Sequence, residues 1–320
     1  MALNQLVDSR DVRFALFEAL EAEKLTKFEK YSGFDRDMFE DMLTLAESIA
    51  VEQIYPTFEE GDKEGCKHNP DTKEVKIPSC YHPALKAFYE AGFGGIDIDA
   101  EWGGMGAPQV IAWACNEYFC SANYPLMMYP GLTHGAAELI EAFGTEEQKH
   151  TYLEKMYNGQ WGGTMCLTEP DAGSDVGALK SKAVKQADGT YKITGTKIFI
   201  SSGDNDYYEN MIHPVLARIE GDPPGTKGIS IFIVPKYLVN KDGSKGKFND
   251  VVCSGIEHKM GIKGSATCTL NFGDNNECVG YLLGEERQGM KIMFKMMNYA
   301  RMGVGLQGQA TASAAYMHSI

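Results

Sequence analysis

The sequence predicts an α+β fold: an amino-terminal α-helical domain, a central antiparallel β-barrel domain, and the start of a carboxy-terminal helical bundle. Three observations predict it. Apolar residues recur at helical spacing as far as about Trp161. Over residues 162–283 the segments become short, β-rich and separated by Gly, Asn and Asp. From about Glu286 the helical period returns and runs to Ile320 without a stop signal. The divisions this implies are an amino-terminal extension at 1–34, then 35–161, 162–284 and an incomplete 285–320.

Each element has its own signal. In 35–50, Phe39, Leu43, Ala46 and Ala50 share one helical face. Residues 61–79 are polar and read as a loop. Residues 82–92 predict a helix with Pro83 in its first turn and Gly92 as its stop. Pro108 opens another helix through Cys120; 132–143 ends at Gly144, and 146–157 ends near Gly159. In the β-rich part, 191–194 and 197–201 are joined through Gly195, and 229–234 and 267–272 follow as strands. Met290, Phe294, Met297 and Arg301 mark the last helix.

Composition narrows the function. With 320 residues, 43% hydrophobic and 23% charged, the chain can bury a large core in two or three domains. No apolar run approaches the roughly 20 residues a membrane span needs, so no membrane insertion is expected. The first 20 residues lack a secretory pattern and carry Asp8, Asp11 and Glu18, which do not suit a mitochondrial presequence; a cytoplasmic protein is the expectation. The eight cysteines form no CxxC pair and the seven histidines do not cluster beside them, so reduced thiols and no metal site are expected. A net charge of −14 argues against a nucleic-acid partner, while leaving room for a phosphorylated small ligand in a local positive pocket.

The chemistry-bearing stretch is Gly162-Gly163-Thr164-Met165-Cys166-Leu167-Thr168-Glu169-Pro170-Asp171-Ala172-Gly173-Ser174-Asp175. It resembles the flavin-binding signature of the acyl-CoA dehydrogenase family. Phe143 to Lys149, Gly195 to Gly203 and Glu257 to Ser265 resemble three further motifs of that family, in its order and spacing. The resemblance covers the chain from about residue 35 onward. Asp11 to Glu18, Gly61 to Cys66 and Met165 to Thr168 are similar to the bacterial branch that contains 3-methylmercaptopropionyl-CoA dehydrogenase.

The resemblance implies FAD as cofactor and an acyl-CoA substrate, whose α,β-dehydrogenation delivers electrons to an acceptor such as electron-transfer flavoprotein. A flavin that accepts hydride becomes electron-rich along one edge and needs donors placed there in advance. On the family pattern those contacts fall to Met165, Cys166, Leu167, Thr168, Gly173, Ser174, Phe199, Ile200 and Ser201. Phe199 stands where the family usually has Trp, and Ser201 where it usually has Thr. Gly173 is read as allowing a tight turn beside the ligand. Ser174, Asn298 and Arg301 match substrate-facing positions, with Asn298 replacing the usual Asp. Lys180, Lys182 and Lys185 either meet coenzyme A phosphates or form a solvated strand face. Trp102 to Gly106 resembles a Gly-rich loop near the acyl pocket.

Removing a proton from the α-carbon of a thioester needs a carboxylate base in a dry pocket. In most of the family this Glu lies in the last third of the chain; in a minority it immediately precedes the arginine on the first bundle helix, where this sequence has Ala300. The catalytic Glu is therefore expected beyond Ile320, in a longer protein that forms a homodimer or homotetramer. The alternatives left open are a same-fold oxidase and a flavin- or acyl-CoA-binding scaffold without turnover.

Overall fold

The computed structural model describes residues 4–320; residues 1–3, the start of the expected extension, lie outside the described residues. The chain forms two compact units. One gathers the described part of Met1–Glu64 with Pro78–Met127 and Arg301–Ile320; the other gathers Gly65–Ile77 with Met128–Ala300.

The first unit is helical. Helix α1 (Ser9–Arg13) is capped by the Asp8 carboxylate, which accepts from the amides of Arg10 and Asp11. Arg13 then donates to Glu40 at 2.7 Å, tying the amino-terminal stretch to α2 (Arg36–Ile49). Asp35 caps α2 by accepting from the Met38 amide, and Phe39, Leu43, Ala46 and Ile49 are buried, the face that the 3.6-residue period marks. Helix α3 (Thr57–Glu64) includes residues read from sequence as the start of a loop. Position 61 needs glycine because a Cβ would meet the Tyr81 ring at 2.3 Å; here Gly61 permits close packing rather than breaking the helix. Helix α4 (Tyr81–Glu90) ends where Gly92 takes φ +80°, the stop read from the sequence.

Helix α5 (Gln109–Phe143) joins the two expected helices across a kink at Asn123, which leaves helical geometry with φ −160° and ψ 88°. Asn123 is fully buried. Its Nδ2 donates to Thr57 Oγ1 at 2.9 Å, and its Oδ1 accepts from the Leu126 amide at 3.1 Å and the Tyr81 hydroxyl at 3.3 Å. The side-chain oxygen thus gives the Leu126 amide, three residues past the kink, an acceptor.

The second unit contains the sheet. The hairpin of β1 (Lys67–His68) and β2 (Val75–Lys76) occupies the rest of the segment read as a loop. Helix α6 (Glu146–Tyr157) starts with a capping box between Thr145 and Gln148. There follow β3 (Trp161–Gly163), β4 (Lys182–Lys185), β5 (Tyr191–Ser201), β6 (Asn210–Ile219) and β7 (Ile229–Pro235). The strands close with β8 (Tyr237–Val239), β9 (Lys245–Phe248), β10 (Val251–Ile256), β11 (Thr267–Phe272) and β12 (Val279–Leu282). Helix α7 (Gly289–Ser319) comes last and contributes residues to both units.

An eight-stranded sheet runs in the order β10-β11-β5-β12-β7-β6-β3, with β4 pairing to both β5 and β6. It wraps a core that includes Tyr191, Ile193, Phe232, Leu270 and Phe272, the barrel the sequence predicts. The pairing is not wholly antiparallel: β3 and β4 each run parallel to β6. Parallel neighbours need a long return connection, and the stretches from β3 to β6 and from β4 to β6 supply it. Gly162 and Gly163 let β3 pack close: a Cβ on Gly162 would stand 2.4 Å from the Tyr208 ring, and one on Gly163 would stand 2.7 Å from Ala136 Cβ. No helix of the described residues is long and apolar enough to cross a membrane.

Candidate functional site

Past β3 the chain continues alongside β6. The Thr164 amide donates to the Ile212 carbonyl at 3.2 Å, the Cys166 amide donates to the Pro214 carbonyl at 2.9 Å, and the Cys166 carbonyl accepts from the Leu216 amide at 3.1 Å. Alternation then turns Thr164 and Cys166 inward and leaves Met165 and Leu167 half-buried on the other side. A tight turn follows at Glu169-Pro170-Asp171-Ala172, closed by reciprocal backbone bonds between Glu169 and Ala172, both 3.1 Å. Pro170 suits its second position.

Strand β5 holds this stretch from the other side. Lys197 Nζ donates to the Leu167 carbonyl at 3.0 Å and to Glu169 Oε1 at 2.8 Å, and the Ile198 amide donates to the Thr168 carbonyl at 2.9 Å. Glu169 also accepts from the Lys180 amide (2.5 Å) and the Ser181 amide (3.0 Å). The side chains of Lys197 and Glu169 are 0% and 5% exposed. Burial alone would raise the Glu169 carboxyl, but the Lys197 charge and these hydrogen bonds outweigh it and hold the group below the usual carboxylate range. Burial pushes the Lys197 ammonium down, with Glu169 opposing. Glu169 is thereby committed to an ion pair and to backbone amides.

With both carbonyls tied to β5, the amides of Leu167 and Thr168 and the Thr168 hydroxyl have no hydrogen-bond partner among the described residues. Consecutive donors on a half-buried, clamped turn make a fixed edge for an electron-rich acceptor.

Phe199 lies close by in sequence to this clamp, in a β-bulge. Pairing steps from Leu270↔Lys197 to Cys268↔Ile200, so β5 carries one more residue than β11 across this interval. Phe199 occupies it with φ +57° and is 57% exposed. A non-glycine residue held there costs of order 1–3 kcal/mol, and the bulge turns an aromatic ring outward that strand alternation would have buried.

The remaining sequence-derived positions divide clearly. Ser201 is half-buried and Ser174 exposed. Cys166 and Ile200 point into the barrel core; Cys166 has its amide and carbonyl both bonded, and burial pushes its thiol up to about 12. It offers a ligand no free polar group. Gly173 does not have the left-handed backbone of a Gly-requiring turn, and a Cβ there would only touch Thr168 Cγ2 at 3.7 Å. The tight-turn reason given for it from sequence is corrected: the fold itself accepts a side chain. Asn298 and Arg301 are both exposed on α7. Lys180 pairs with Asp171 and Lys185 with Glu286, both on the surface, so these two spend their charge within the protein. In the Trp102 to Gly106 loop, a Cβ on Gly104 would stand 2.0 Å from the Ile98 carbonyl oxygen, which requires glycine.

Sequence reasoning missed the Lys197–Glu169 pair. The signal was present: Tyr191, Ile193, Gly195 and Lys197 share the inward parity of β5, so a lysine there demands a buried partner.

The acyl-CoA dehydrogenase N-terminal domain matches residues 36–160, and the acyl-CoA dehydrogenase middle domain matches residues 164–275. A solved structure from work on the electron transferring flavoprotein of Acidaminococcus fermentans superposes with TM-score 0.69 and 30% identity, over 88% of this chain and 67% of that one.

The chain belongs to the acyl-CoA dehydrogenase family.

Among curated relatives of this family member, the broad-specificity linear acyl-CoA dehydrogenase FadE5 of Mycobacterium tuberculosis is 43% identical over 97% of this chain and 51% of that protein. The 3-methylmercaptopropionyl-CoA dehydrogenase of Ruegeria pomeroyi is 39% identical over 97% of this chain and 52% of that protein, in line with the branch read from the sequence. The chain spans about half the length of these relatives.

Proposed function

We propose that the whole protein carries out FAD-dependent α,β-dehydrogenation of an acyl-CoA thioester to the 2-enoyl-CoA, with electrons passed on to an acceptor such as electron-transfer flavoprotein. One observation carries this reading: the partner-free amides of Leu167 and Thr168 and the Thr168 hydroxyl stand on a turn clamped by β5. FAD supplies the ring that accepts the hydride leaving the β-carbon. The Leu167 and Thr168 donors would meet its electron-rich edge, which attracts them more strongly as charge develops. Met165, Phe199 and Ser201 would provide apolar cover, an aromatic face and a second hydroxyl, and Gly173 would border the ligand. Cys166 and Ile200 would act only by supporting the wall from the core. Ser174, Asn298 and Arg301 are assigned to the acyl-CoA.

The base for the α-proton is assigned to a carboxylate outside this chain. Glu169 is held ionised by Lys197 and two amides, and Ala300 offers no proton acceptor. The relatives act on linear and methylmercaptopropionyl thioesters by name, and we assign an acyl-CoA of that class. A cytoplasmic homodimer or homotetramer completes the proposal.

The test is a visible spectrum of the purified whole protein, followed by anaerobic addition of a panel of acyl-CoA thioesters. Bound flavin that bleaches with at least one thioester, reoxidises slowly in air and reoxidises fast with electron-transfer flavoprotein is the expected result. Fast reoxidation by oxygen would move the assignment to an oxidase. A protein that retains no FAD when offered it would overturn the reading.

A further inference from the structure

The buried Lys197–Glu169 pair has a task beyond holding two strands together. Every peptide bond among the described residues is trans, so in the Leu167–Thr168 peptide the carbonyl and the amide point in opposite directions. The carbonyl end faces a buried ammonium at 3.0 Å. The amide end, Thr168 N–H, has no partner. A cation on the oxygen of a peptide polarises the whole group and makes its N–H a stronger donor, and low surrounding polarity enlarges the effect. Water cannot screen this contact, since Lys197 is 0% exposed.

Glu169 fixes the cation. It takes Lys197 on Oε1 and the Lys180 and Ser181 amides on its two oxygens, so it cannot rotate without giving up three hydrogen bonds. The neighbouring Thr168 carbonyl is held separately by Ile198. The turn is therefore immobilised and its unpartnered donor electrically biased by one arrangement.

We propose that Lys197 is a positioning residue that acts through the Leu167–Thr168 peptide to strengthen the Thr168 amide as a donor to the electron-rich flavin edge, with Glu169 holding it in place. This rests on the reading that FAD occupies the Leu167–Thr168 donors. Because the bias favours negative charge at that edge, it stabilises the reduced flavin more than the oxidised one and raises the potential of the cofactor.

Two variants test it in the whole protein. Lys197→Gln keeps a neutral donor and removes the charge. Lys197→Met/Glu169→Met removes both charges together, avoiding the single uncompensated buried ion that could prevent folding. Folding is checked by far-ultraviolet circular dichroism; flavin affinity, flavin midpoint potential and hydrogen exchange at the Ile198 amide are then compared with the parent. In both variants the preference for reduced over oxidised flavin should fall about tenfold, a drop in potential of about 30 mV for a two-electron couple. Exchange at the Ile198 amide, which donates to the Thr168 carbonyl, should also quicken in the apoprotein of the double variant. A folded variant whose potential matches the parent overturns the electrostatic role. Unchanged Ile198 exchange in the apoprotein overturns the positioning role. If the parent itself binds no FAD, the flavin reading and this inference both fall on the spectrum alone, whereas a parent that binds FAD with silent variants sinks only the inference.

Discussion

The Thr164 hydroxyl lies 2.8 Å from Nδ1 of His213, and both side chains are buried inside the second unit. This contact anchors the run into the Leu167–Thr168 turn to the middle of β6. Burial, helped by the charge of Lys236, lowers His213 from its ordinary 6.5 to about 3, so the imidazole is neutral in the folded protein. The unfolded chain takes up a proton near the ordinary value. Stability from a neutral His213 is thus complete above about pH 6.5 and drains away as pH falls toward 3, by roughly 1.4 kcal/mol per pH unit. Urea midpoints measured across this window should decline more shallowly in His213→Gln than in the parent; parallel curves would refute the assignment.

Asn123 should be costly to replace. Asn123→Leu keeps the volume but strips hydrogen-bond partners from the Tyr81 hydroxyl, the Leu126 amide and the Thr57 hydroxyl. A loss of about 2–4 kcal/mol in urea unfolding is expected.

Two of the three glycines in the Gly162–Asp175 stretch should behave oppositely. Gly163→Ala forces a methyl to 2.7 Å from Ala136 Cβ and 2.8 Å from Met156 Cε, which should cost about 1–3 kcal/mol. Gly173→Ala meets only ordinary contact and should change stability by less than about 0.5 kcal/mol. Equal thermal shifts for the pair would contradict the packing described.

Phe199 should matter to the ligand and not to the fold. Its ring is 57% exposed on a strained backbone, so Phe199→Ala should leave the melting temperature of the apoprotein unchanged or slightly higher. Loss of the aromatic face should weaken FAD binding about tenfold, read by fluorescence titration. Thr168→Val, which removes one hydroxyl at nearly constant shape, should weaken it about fivefold.

Much of this protein was legible before any coordinates. The helical face of Phe39, Leu43 and Ala46, the Gly92 stop, the helix over 146–157 and the β-rich interval all follow from local preferences, because neighbours three, four or two residues apart decide them. The sequence likewise determined which stretch carries the donors, since Thr168 and its flanking residues form one contiguous segment. Other features needed the tertiary structure. Gly61 reads as a break until Tyr81 is seen against it. Parity along β5 places Lys197 inward and would place Phe199 inward as well; only the mismatch with β11 inserts the extra residue that buries Ile200 and turns Phe199 out. The partner of Lys197 lies 28 residues away at Glu169. Period and composition are local quantities. A bulge and a buried ion pair depend on which distant strand arrives alongside, and that is settled only when the chain folds.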